Sequence, residues 1–80
     1  MKLPRDMDAP ELIRALGRIG YRAVRQTGSH VRLETDDPSR HALTIPNHSP
    51  LKIRTLAAIL AEVAAHRGLT REALLVQLGF

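Results

Sequence analysis

The apolar residues change their spacing twice along the chain, and this constrains the fold more than any other feature. Leu12, Leu16 and Ile19, with Ile13 beside them, form one stripe at helical spacing. Val31 and Leu33, then Leu43 and Ile45, alternate with the two-residue period of a half-buried strand. Leu56, Ile59, Leu60 and Val63 return to helical spacing, and the alanines between them allow close approach to a sheet. Such a chain is α+β, in the order α-β-β-β-α, with a three-stranded antiparallel sheet covered on one face by helices. Its 80 residues are expected to make a single domain, 1–80, with a small core and no deep enclosed pocket.

Local signals set the ends of the elements. Asp8 is a candidate N-cap, Glu11 completes a capping box, and Met7 and Leu12 hold the staple positions. Gly17 weakens the last turn and Gly20 stops the helix, which predicts a helix over 9–18. Strands are predicted over 21–26, 29–35 and 41–45, with Thr27-Gly28 as turn chemistry and Asp36-Asp37-Pro38-Ser39 as a loop. Pro46 ends the third strand, and Asn47-His48-Ser49-Pro50 leads to the second helix, which Gly68 closes. Thr70 caps a short C-terminal helix carrying Leu74, Leu75 and Leu78.

Composition removes several classes of function. Without cysteine there are no disulfides and no thiolate metal sites. Pro4-Arg5-Asp6 breaks any leader-like apolar run after Met1-Lys2-Leu3, and the run from Leu56 to Ala61 is too short to span a bilayer. A soluble cytoplasmic protein with no membrane partner is expected. Twelve Lys and Arg, ten of them Arg, face eight Asp and Glu, and the pI is about 10.7. The guanidinium fork suits phosphate, so a polyanion, most often nucleic acid, is a natural partner. A basic soluble protein without one is the alternative.

The strand phase singles out His30. If Val31 and Leu33 face the helices, His30 and Arg32 face away from them on the open side of the sheet. Histidine ordinarily titrates near pH 6.5, so it suits proton transfer at neutral pH. Position alone leaves His30 either a surface residue or a base. Lys52 and Arg54 stand at the start of the second helix, where the dipole disfavours cations and favours anions. They either hold a phosphate there or point into solvent. Ser29 is either a turn residue or one that orients His30 or binds phosphate, and His48 is either a substrate-side or a loop-structural residue. His41 and His48 with Asp36 and Asp37 make a weak metal set, because their spacing is irregular. No metal and no cofactor is expected. His66, late in the second helix, has the place of a favourable C-terminal charge. Tyr21 and Phe80 are the only aromatics, too few for a base-stacking platform.

Gly28-Ser29-His30 before an apolar alternation, Pro46-Asn47-His48, and Leu51-Lys52-Ile53-Arg54-Thr55-Leu56 running on to Ile59-Leu60 resemble the HicA family of bacterial toxins. Glu11-Leu12 and Gly20-Tyr21 also stand where that family's first helix and first strand have such residues. The resemblance implies a fold similar to double-stranded-RNA-binding domains. It further implies a small mRNA interferase, the toxin of a type II toxin–antitoxin pair, with a HicB-type antitoxin as partner and mRNA as substrate. The family's catalytic histidine carries over to His30. The family commonly has glycine before the Thr-Leu of the second helix; Arg54 stands there in this chain and adds a candidate phosphate contact.

That chemistry is within reach of these residues. RNA carries its own nucleophile in the 2′-hydroxyl, and a positioned base need only take its proton. Charge on the phosphorane oxygens calls for donors, for which Arg32, Lys52 and Arg54 are candidates. Two rival readings use the same fold: a non-catalytic RNA-binding module, or a domain whose sheet face serves a protein partner alone.

Overall fold

Asp8 opens the first helix by the chemistry its neighbours predict. Its carboxylate accepts from the Glu11 N–H at 2.9 Å, and the Glu11 carboxylate accepts from the Asp8 N–H at 3.5 Å. Met7 and Leu12 are both buried beside this cap. The computed structural model describes residues 3–80; Met1-Lys2, and the leader reading made there, lie outside the described residues. The order is α1 (Ala9–Gly17), β1 (Arg22–Thr27), β2 (His30–Thr35), β3 (His41–Pro46), α2 (Ile53–Arg67) and α3 (Arg71–Leu78). Gly68 caps α2, and the Thr70 side chain accepts from Ala73 to cap α3, both as expected.

The three strands form one antiparallel sheet in the order β1-β2-β3. Boundaries differ from expectation by about one residue, and pairing explains why. Thr27 pairs with His30, so the hairpin loop is Gly28-Ser29; Thr27 belongs to the strand and Ser29 to the turn. Gly28 has φ 57°, a conformation that glycine adopts without strain, at the first central position of this two-residue loop. Pro46 closes β3 as its last residue, and Tyr21 is buried just before β1 rather than within it.

The alternation sorts the two faces of β2 and β3. Val31, Leu33, Leu43 and Ile45 are buried, while His30 and Thr44 are exposed and Arg32 and Glu34 are half-buried. The buried face joins Leu12 and Leu16 of α1, Leu56, Leu60 and Val63 of α2, and Leu74, Leu75 and Leu78 of α3 in one core. Each such side chain contributes about 1.5–3 kcal/mol on burial, so this cluster sets the phase of the sheet. The Cα envelope is only 17 Å in its thinnest direction, which leaves room for two layers. All of β1 is exposed, so the β1–β2 hairpin extends past the helical cover.

Backbone hydrogen bonds fix the loop after β3. The Asn47 N–H donates to the Ser29 carbonyl at 2.6 Å, the Ala9 N–H to the His48 carbonyl at 3.1 Å, and the Leu51 N–H to the Met7 carbonyl at 2.7 Å. Leu51 is buried. Two arginines fasten the periphery: Arg18 donates to the Leu78 carbonyl at 2.7 Å, and Arg67 to the Ile19 and Asp37 carbonyls at 3.2 and 3.3 Å. No helix among the described residues is long and apolar enough to cross a membrane.

Candidate active site on the open sheet face

Cross-strand pairing decides which side chains surround His30. Directly paired residues share a face, so the register places Thr27 opposite His30, and Arg25 and Thr44 on either side of Arg32. These five side chains, Arg25, Thr27, His30, Arg32 and Thr44, line a shallow depression of about 180 Å³. Val24 is the extra residue of a bulge, because Ala23 pairs with Leu33 and Arg25 with the adjacent Arg32. Arg22 and Arg25, three residues apart, therefore both reach the open face. A regular strand would place them on opposite faces.

The residues in the depression differ in how occupied they are. The His30 ring makes no hydrogen bond and no ion pair among the described residues. Arg32 donates from Nε to the Glu34 carboxylate at 3.1 Å, and Arg40 approaches the same carboxylate at 3.5 Å. Arg22 approaches Asp36 at 3.4 Å. Arg25 has no carboxylate partner among the described residues. A histidine free at both ring nitrogens, beside one engaged and one unengaged guanidinium and two hydroxyls, can accept a proton while an anion is held next to it.

A family model described as the HicA toxin of bacterial toxin–antitoxin matches residues 9–64, well over half of the chain. The chain belongs to the HicA toxin family. The matched span holds every residue of the depression, and α3, whose leucines complete the core, lies outside it. No curated protein and no solved structure matched the chain.

Of the residues expected at the site of this HicA toxin, the depression brings together His30 and Arg32. Ser29, His48, Lys52 and Arg54 are exposed and do not line it. Ser29 and His48 belong to adjoining backbone, through the Asn47 bond to the Ser29 carbonyl. Lys52 is the N-cap residue of α2 without a side-chain capping bond, and α2 has no acidic residue in its first turn. Arg54 is two residues on, where the expected helix start placed it. Sequence reasoning missed Arg25, Thr27 and Thr44. Once Gly28-Ser29 is taken as the complete hairpin loop, counting back gives Thr27 opposite His30 and Arg25 diagonal to it, which was the usable signal.

His41 and His66 have structural surroundings. His41 pairs with Thr35 on the helix-covered face. Its Nδ1 lies 2.7 Å from the Tyr21 hydroxyl and its Nε2 3.0 Å from the Glu62 carboxylate. The coherent assignment is a Tyr21 O–H donating to Nδ1 and an Nε2–H donating to Glu62. His66 stacks on His41, ring centroids 4.4 Å apart, and donates from Nε2 to the Ser39 carbonyl at 2.9 Å. Besides its place in the last turn of α2, His66 thus ties α2 to the β2–β3 loop. Burial pushes the Tyr21 phenol above its ordinary value, with the Arg67 charge opposing and Glu62 reinforcing the shift. No three of the histidine and carboxylate side chains converge as a metal-binding group among the described residues.

Proposed function

We propose that this toxin is an endoribonuclease, an mRNA interferase in which His30 acts as general base. The observation that carries the reading is the unpartnered His30 ring on the open face, within a depression lined by two guanidiniums. His30 takes the proton of the RNA 2′-hydroxyl, and the 2′-oxygen attacks the adjacent phosphorus. The P–O5′ bond breaks, leaving a 2′,3′-cyclic phosphate, and water protonates the departing 5′-oxygen. A shallow open site suits a polymer whose nucleophile lies beside its own scissile bond, and the reaction needs neither metal nor cofactor. Arg32 holds phosphate at the site. Ser29, His48, Lys52 and Arg54 hold the RNA backbone next to it, Lys52 and Arg54 at a helix terminus that favours anions.

The working place of such an enzyme is the cytoplasm, and its partner is a HicB-type antitoxin. An antitoxin with an acidic surface would meet the basic open face quickly and silence the enzyme by covering His30. The test is single-turnover cleavage of RNA by wild type and His30→Ala, with a second RNA bearing a 2′-deoxy residue at the cleaved position. Loss of cleavage in both cases, with persistence of wild-type cleavage in EDTA, supports the mechanism. Cleavage by His30→Ala at the wild-type rate, at matched purity, rejects His30 as the base.

A further inference from the structure

We propose that Arg25 is the catalytic guanidinium that stabilises the charge on the reacting phosphate while His30 removes the 2′-proton. This rests on the reading of His30 as the base given above. Arg25 lies diagonal to His30 across the β1–β2 pair, since Thr27 is opposite His30 and Arg25 precedes Thr27 by two residues. Diagonal positions are about 7–8 Å apart at the backbone, a gap that an arginine side chain and one phosphate bridge. Arg25 and His30 both line the depression, and Thr27 and Thr44 add hydroxyl donors to its wall.

Arg25 is distinguished from the other cations by what it does not touch. Arg32 shares the depression, but Glu34 holds its Nε, so part of its donor fork is already used. Arg22 shares the open face, but it is beside Asp36 and outside the depression. Lys52 and Arg54 do not line the depression either. Arg25 keeps its donors without a carboxylate partner among the described residues. As the 2′-oxygen bonds to phosphorus and the P–O5′ bond lengthens, negative charge grows on the two non-bridging oxygens. The Arg25 fork can donate to both, and an interaction that strengthens only as this charge develops raises the chemical rate more than the affinity.

The test separates these two quantities. Single-turnover cleavage at saturating RNA gives the chemical rate, and binding of the uncleavable 2′-deoxy RNA gives the affinity. Wild type, Arg25→Ala, Arg25→Lys, Arg25→Gln, Arg22→Ala and His30→Ala are compared. The expectation is a rate loss of about 10²-fold for Arg25→Ala, a smaller loss of affinity, partial recovery in Arg25→Lys, and little change in Arg22→Ala. An inactive His30→Ala beside an Arg25→Ala with the wild-type rate overturns the role of Arg25 and leaves the base intact. Weakened affinity without a change in rate also overturns it, because Arg25 then only binds. A His30→Ala that cleaves normally removes the base and this proposal with it. If Arg25→Ala melts early, Arg25→Lys must still outpace Arg25→Gln, and equal rates for that pair reject the clamp.

Discussion

His30 and His41 stand at opposite ends of the β2–β3 pair and on opposite faces of the sheet. His41 has both ring nitrogens engaged, one by Tyr21 and one by Glu62, and a second imidazole stacked on its face. His30 has neither a partner nor a stack among the described residues, and it borders a depression with two guanidiniums. One histidine spends its hydrogen-bonding capacity on the fold; the other keeps it for something outside the chain. The same division runs through the arginines. Arg18 and Arg67 donate to carbonyls that fasten one element to another, whereas Arg25 does not. Basic composition alone therefore overstates how much charge is offered to a polyanion.

The largest expected effect follows from exchanging the same mutation between the two sites. His30→Ala should lower the cleavage rate by about 10²–10⁴-fold, with stability changed by no more than roughly 0.5 kcal/mol. His41→Ala should do the reverse. It strands the buried Tyr21 hydroxyl, which costs about 1–3 kcal/mol, or several degrees of melting temperature for each kcal/mol in a domain this small. Its cleavage rate well below the melting transition should stay within about twofold of wild type. Paired single-turnover and thermal-melting measurements decide; a stability loss in His30→Ala comparable to that in His41→Ala would erase the distinction between the two sites.

A smaller effect isolates the packed face. Burial raises the Tyr21 phenol in the folded protein above its ordinary value of 10.0. The unfolded chain therefore releases this proton first as pH rises. The stability associated with neutral Tyr21 is complete below about pH 10 and declines above it. Tyr21→Phe should cost about 0.5–1.5 kcal/mol at neutral pH through the missing bond to His41, yet remove that tyrosine's share of the alkaline decline. Urea denaturation at neutral pH and again above pH 10 checks both parts. An unchanged alkaline slope in the variant would mean that another group causes the decline.

How much of this was legible depends on how far apart the determining residues lie in sequence. The α1 cap, the Gly68 and Thr70 caps and the faces of Val31, Leu33, Leu43 and Ile45 are set by neighbours within a few positions, and they emerged as expected. Arg25 was hidden because β1 is exposed throughout and gives no apolar phase to follow, so its face follows only from the hairpin register that the Thr27–His30 pair sets, whereas the Val24 bulge hid the place of Arg22 on that same face. The surroundings of His41 were hidden because Tyr21 and Glu62 come from other elements, joined only by packing. Of the expected site residues, His30 and Arg32 meet in one depression because they are two apart on one strand. Lys52 and Arg54 could be placed on a helix start, but no local pattern gave their distance from that depression.

Those two cations carry the smallest expected effect, and its sign is informative. Lys52 caps α2 without a side-chain capping bond, and Arg54 is in a first turn that contains no acidic residue. Both oppose the helix dipole there, so Lys52→Ala and Arg54→Ala should each leave stability unchanged or raise it by about 0.3 kcal/mol. If the same side chains hold the RNA backbone, the double variant should bind RNA more weakly. Its log affinity should also fall less steeply with log salt, by about 0.7 in slope for each single-strand phosphate that is no longer neutralised. Cleavage at saturating RNA should be little changed, because neither residue lines the depression around His30. A gain in stability with a loss of salt-sensitive affinity is what separates a functional cation from a structural one, for which both quantities fall together. Filter binding across a salt series, with melting curves of the same samples, distinguishes the cases. An unchanged salt slope in the double variant would remove Lys52 and Arg54 from the RNA path and leave the depression to bind alone.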